Sequence, residues 1–161
     1  MKKFAANYLL NDQGNFLKNG ILVAGNDGTV LEYIDSGDHL IEISGLSFLN
    51  GILMANCTFV KREIPIQQFG SNSPSSALVL EAVEGLDKFS IHSLIELAKD
   101  IQEHFPEMNI PEIMNEITLI LTSQVGFAKE YKPGIFLLVG ADLPRLRFVS
   151  KSRLKKILEA F

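Results

Sequence analysis

Gly45-Leu46-Ser47-Phe48-Leu49-Asn50-Gly51-Ile52-Leu53-Met54-Ala55-Asn56-Cys57-Thr58-Phe59 is the stretch from which the fold can be read. The run Leu53 to Val60 is apolar and free of charge, which predicts a strand. Strand alternation puts Asn56 and Thr58 on one face and Cys57 on the other. Two polar side chains sharing a face could receive a polar ligand. An amide and a hydroxyl are equally satisfied by solvent or a neighbouring helix, and that is the plainer reading.

Outward from this stretch, residues 4–10, 16–25 and 28–35 are short, β-branched or aromatic, and separated by Asp12-Gln13-Gly14 and Asn26-Asp27-Gly28. Asn-Asp-Gly between two apolar runs predicts a hairpin. Ile41 to Ile43 reads as a further strand. Gly70-Ser71-Asn72-Ser73-Pro74-Ser75-Ser76 is a turn-rich join, and Ala77-Leu78-Val79-Leu80 beyond it reads as a short buried strand. The period then changes. Ile91, Leu94, Ile95, Ala98, Ile101 and Phe105 recur at helical spacing behind Ser90 as N-cap. A second helix starts at Asn109, with Glu112 three residues on and Pro111 in the first turn; its stripe is Ile110, Ile113, Met114, Ile117, Ile120, Leu121 and Val125, and Gly126 stops it. Ile135 to Val139 predicts a central strand and Leu146 to Val149 a short one. Ser150 or Ser152 then caps a terminal helix with Leu154, Ile157, Leu158 and Phe161 on one face.

The frame Gly45, Gly51 and Ala55, followed by Asn56 and Thr58, resembles the metal-strand motif of the amidohydrolase superfamily, G-x-x-x-x-P-G-h-h-N-A-H-x-H. In that family the two histidines hold the catalytic metal on the first strand of a (β/α)8 barrel. Here their positions read Asn56 and Thr58, poor ligands for a zinc-type ion. Phe4–Leu10, Phe16–Val23 and Gly28–Ile34 resemble the opening of cytosine-deaminase-like members. Gly126-Phe127 with Tyr131–Leu138 resembles their closing segment, and the helix Ile113 to Val125 their last barrel-side helix. A complete barrel takes roughly 250 residues, whereas about fifty separate Phe59 from Ile110. The resemblance covers the two ends, about two-thirds of the chain. It implies the family's composite β-sandwich with the barrel nearly all missing, and assigns no catalytic, cofactor-binding or metal-ligating residue.

Composition narrows the classes further. The 161 residues are 47% apolar and 21% charged, as in an ordinary globular domain, and the length suits one domain. A net charge of −4 with pI about 5.4 disfavours a general polyanion binder. No apolar run reaches the length of a membrane span, and Met1-Lys2-Lys3 leads into alternation rather than a signal-peptide core. The single cysteine, Cys57, excludes an internal disulfide framework and fits a reducing cytoplasm.

The remaining candidates for chemistry are few. Cys57 as a nucleophile needs a base and an electropositive setting; His39, His92 and His104 are all remote in sequence, so a buried structural thiol is favoured. His92 and His104 fall on nearly the same helix face but about 18 Å apart, too far to share a metal. Glu81, Glu84 and Asp142 are the acids left, with Asp142 reading as a turn residue before Pro144. Arg145, Arg147, Lys151, Arg153, Lys155 and Lys156 could touch nucleic acid or an anionic surface; without interleaved aromatics they read as a solvated face.

The expected architecture is mixed α+β in a single domain, 1–161. The composite β-sandwich comes from both chain ends (1–60 and 127–149), residues 77–126 give a strand and two central helices, and a C-terminal helix over 150–161 helps replace the barrel. Strands within 4–60 need partners at their open edges, and 135–149 would supply them. The expected function is a non-catalytic interaction or ligand-binding module of the cytoplasm, without cofactor. The alternative is a hydrolase acting on non-peptide C–N bonds, with Glu81, Glu84 or Asp142 activating water. A third reading is an accessory subunit of a full-length amidohydrolase. Loss of the barrel bares apolar surface, which predicts a homodimer contributed by Leu53 to Phe59 and the helix Ile91 to Phe105. Neither nucleic acid nor membrane is an expected partner.

Overall fold

A computed structural model describes residues 1–37, 43–62, 74–130 and 134–159. Among them the chain runs β1 (Lys2–Leu10), β2 (Phe16–Lys18), β3 (Ile21–Ala24), β4 (Val30–Ile34), β5 (Leu46–Ala55), β6 (Thr58–Lys61), α1 (Pro74–Val83), β7 (Lys88–Phe89), α2 (Ile91–His104), α3 (Ile110–Leu119), β8 (Phe127–Glu130), β9 (Gly134–Val139) and β10 (Arg153–Glu159). The fold is mixed α+β, with a seven-stranded and a three-stranded sheet. Contacts divide between two compact units. One is Met1–Asn56, Lys132–Leu143 and Val149–Phe161; the other is Cys57–Tyr131 and Pro144–Phe148.

The first unit is a sheet of order β10-β9-β5-β1-β3-β4, with β2 also on β1. It is composite, as the pattern predicts: β5 from the N-terminal half pairs with β9 from the C-terminal segment through Ile52–Leu138, Leu53–Leu137, Met54–Phe136 and Ala55–Ile135. The β1–β5 pair is parallel and its neighbours are antiparallel. Local chemistry fixes the turns. Asn11 Oδ1 accepts from the Gln13 and Asn15 amides at 3.0 and 2.9 Å, folding β1 onto β2. Asp27 Oδ1 accepts from the Thr29 amide at 3.0 Å, and Gly28 supplies the positive φ of 86° that the β3–β4 hairpin needs. Ala6, Leu9, Leu22, Ala24, Leu53, Ala55, Ile135 and Leu137 form one buried cluster, with Val139 packed against it.

The second unit has the antiparallel sheet β7-β6-β8 and the three helices. Ser90 Oγ caps α2 by accepting from the Ser93 amide at 3.2 Å. Asn109 and Glu112 form a reciprocal capping box at the start of α3. The last turn of that helical run widens into a π-turn over Ile120–Gln124 and ends at Gly126, φ 74°. Gln102 clamps the returning segment: its Nε2 donates to Phe148 O at 2.6 Å and its Oε1 accepts from Phe148 N at 2.7 Å.

Several expectations are corrected. Residues 77–80 are helical, within α1, rather than a strand. A short apolar run carries no periodicity that separates the two states, and here the Ser75 and Ser76 hydroxyls bond Glu116 and Gln124 instead of closing a turn. The terminal helix is absent from 153–159, which form β10. Its sequence is amphipathic at either period, and pairing with β9 from Arg153–Val139 to Glu159–Gly134 covers that edge. Ser152 Oγ accepts from the Val149 amide at 2.8 Å and so closes a turn instead of capping a helix. Leu146, at φ 52°, sits in a turn and not in a strand. The single strand expected over 53–60 breaks at Asn56, whose φ is 55°, into β5 and β6. Ile41, Glu42, His39 and Gly70 to Ser73 lie outside the described residues.

Candidate functional site

Strand geometry decides the first candidate. Asn56 and Thr58 are buried, at 4% and 8% exposure. They do not share a strand face, since Asn56 follows the last residue of β5 in a left-handed turn and Thr58 opens β6 in the other sheet. Burial from Leu53 to Phe59 is nearly complete, which corrects the expectation that this stretch offers a surface to a second copy. Cys57, at 5% exposure, is buried and closed to substrate. His92 and His104 are both exposed near opposite ends of α2, and His104 Nδ1 lies 2.8 Å from Asp100 O within its own helix.

The basic stretch is not one helical face. Arg153, Lys155 and Lys156 are exposed on the outermost strand, β10. Arg147 is half-buried and donates to the carbonyls of Pro106 and Met108, tying down the α2–α3 turn. Asp142 is half-buried in the segment after β9.

Glu81 and Glu84 are brought together. Glu81 lies in the last turn of α1 and Glu84 in the turn just beyond its end, and both line an open cavity of about 480 Å3 in the helical unit. Lys61 from β6, Leu80 and Val83 from α1, and Val125 after the π-turn complete its walls. Val83 and Val125 are buried and make an apolar floor, whereas Lys61, Glu81 and Glu84 are exposed at the rim. Two carboxylates can accept from a cationic or amide N–H and the ammonium can donate to an anionic group. None of the described residues lining it carries a hydroxyl, a thiol or an imidazole. Lys61 was not singled out in the sequence, and the Glu81–Glu84 pairing was legible only had α1 been read as a helix.

Among the described residues, no three of His, Cys, Asp and Glu converge as metal ligands would. No described helix is long and apolar enough to cross a membrane. The chain matches no family model, and neither a curated protein nor a solved structure is significantly similar to it.

Proposed function

We propose that this chain is a non-catalytic binding module, a barrel-less relative of the amidohydrolases that works in the cytoplasm without a cofactor. The observation that carries the reading is the backbone at Asn56 and Thr58, the positions where the resemblance has metal-binding histidines. Side chains two apart share a face only on an unbroken strand; here a left-handed residue divides two strands of different sheets. Strand alternation therefore does not put imidazoles at those two positions on a common face. Support also comes from the β5–β9 pairing, which joins the two chain ends in the composite sheet that the resemblance implies. A single cysteine, which can form no internal disulfide, fits a reducing compartment. The helical unit's cavity, with apolar floor and charged rim, has the character of a binding site for a small amphipathic group.

A hydrolase acting on non-peptide C–N bonds is the second reading, and the one observation in its favour is that Glu81 and Glu84 line the same cavity. The purified chain, supplied in turn with Zn2+, Fe2+ and Mn2+, tests both on linear amides, cyclic amides and exocyclic ring amines. No turnover is expected in any arm. Turnover that Glu81→Gln or Glu84→Gln abolishes would establish the hydrolase, and turnover of any other kind would equally end the binding-module reading. The accessory-subunit reading is separated by adding the chain to a complete amidohydrolase: co-elution with a changed rate would favour it.

A further inference from the structure

The sheet of the first unit has an edge that its strand order conceals. β5 is ten residues long, and β1 flanks it along Leu46–Leu49 and again along Ile52–Met54. On its other side β9 reaches only Ile52–Ala55. Beyond that point the chain leaves the ladder at Gly140, φ 79°. Among the described residues, Leu46–Asn50 is therefore paired on one side alone.

This half-strand differs in kind from the outer edges of the same sheet. β10 presents Arg153, Lys155 and Lys156 and a register shift between Lys156 and Leu158. β4 presents Glu32, with Asp35 just beyond it, and the β3–β4 ladder shifts between Val23 and Ala24. Like charges and bulges are the devices by which an edge resists pairing with its own copy. Leu46-Ser47-Phe48-Leu49-Asn50 carries no charge and no proline. Ser47 and Asn50 are exposed, and Phe48, at its centre, is 47% exposed.

We infer that Leu46–Asn50 is a homodimerisation edge, pairing antiparallel with the same segment of a second copy of this chain. The occupant follows from charge. Paired about their centres with their own copies, β10 would bring its lysines together and β4 its Glu32, and the short β2 carries Lys18, whereas Leu46–Asn50 brings no charge against its own copy. Antiparallel pairing of identical segments is two-fold and closes at two copies, which avoids open-ended growth. Five residues span about 17 Å. With Phe48 in the middle, the two rings come within reach across the new ladder, the kind of aromatic cross-strand pair that stabilises sheets. The inference stands whether or not the chain retains any chemistry.

Size exclusion with light scattering tests it on the full chain over a wide concentration range. The expected mass is twice 17.9 kDa, falling to one copy for Phe48→Lys and Ser47→Lys at concentrations where the parent is paired. Circular dichroism should remain unchanged in both. Leu119→Lys, at an apolar residue 62% exposed on α3, should leave the dimer intact. Hydrogen exchange at the amides of Leu46–Asn50 should slow as concentration rises. A single-copy mass at every concentration overturns the inference. So does a dimer that survives both lysine variants, or one that only Leu119→Lys dissociates.

Discussion

The side-chain carbonyl of Asn7 accepts a hydrogen bond from the backbone amide of Gly51 at 2.8 Å, bridging β1 and β5 where their register slips. Ala6 faces Leu49 and Tyr8 faces Ile52, so two residues of β5, Asn50 and Gly51, stand opposite Asn7 alone. The extra residue leaves an amide with no ladder partner, and the Asn7 amide group supplies one. Gly51 itself has φ 146°, and a Cβ there would fall 2.4 Å from the Leu138 carbonyl oxygen.

Gly51→Ala is accordingly expected to cost more than about 2 kcal/mol, from backbone strain plus the clash with β9. Asn7→Ala should cost about 1–3 kcal/mol by stranding the Gly51 amide, while Asn7→Asp keeps an acceptor and should lose less. Urea unfolding of the three variants ranks them. Equal stability of Asn7→Ala and the parent would remove the bridge from the account.

Leu137 joins the two chain ends, since it lies in the buried cluster and opposite Leu53. Leu137→Ala should destabilise by about 2–5 kcal/mol. A loss below about 1 kcal/mol would mean that β9 is held mainly by its backbone ladder.

Gln102 gives a cleaner test of directionality. It both donates to and accepts from the backbone of Phe148. Gln102→Ala should cost about 1–3 kcal/mol by leaving both groups unpaired. Gln102→Glu keeps the acceptor but turns a second oxygen toward the Phe148 carbonyl, so it should be no better than alanine at neutral pH and should recover as the carboxyl is protonated. Thermal melts at two pH values read this out.

Asp27 links the β3–β4 hairpin to pH. The Thr29 backbone amide, then the Thr29 side chain, hold its carboxyl below the usual carboxylate range. A lowered folded pKa means that the unfolded chain binds the proton more readily. The stabilisation is thus complete above about pH 4, the unfolded value, and fades as pH falls through the folded one. Asp27→Asn retains an oxygen for the Thr29 amide without titrating. Following the Thr29 amide shift by NMR during acidification should show a transition below pH 4 in the parent and none in Asp27→Asn.

Restoring histidines should restore nothing. In Asn56→His/Thr58→His one imidazole would stand on the left-handed residue itself and the other on the first residue of β6. That variant should bind no stoichiometric zinc and should lose stability, because both positions are buried. Elemental analysis after dialysis against zinc checks it, and a one-to-one metal content would show that the turn rearranges.

Legibility in the sequence followed the range of the forces involved. The Ser90 and Asn109 caps, the Asn-Asp-Gly turn and the apolar run of β9 are local signals, and each element stands where those residues put it. The composite sheet was legible because open edges demand partners. What escaped had no local signature. Arg153–Glu159 fits either period and is a strand only because β9 lies beside it. Pro74–Val83 is apolar on nearly every side, so its helical state, and with it the Glu81–Glu84 rim, could not be read from spacing. Asn56 looks like any strand residue until its backbone turns left-handed.

The β5–β9 seam also sets a clock for synthesis. Ala55 leaves the ribosome about eighty residues before its partner strand begins. At roughly 5–20 residues per second, β5 waits several seconds or more with that flank open. The Cys57–Tyr131 part of the helical unit is encoded in between, and pairing of β6 with β8 within it draws the two flanking segments closer, which shortens the loop that the seam must close. A slow codon run within residues 57–131 would lengthen the wait, whereas one after Glu159 would not, so aggregation yield in a translation extract should depend on where the pause is placed.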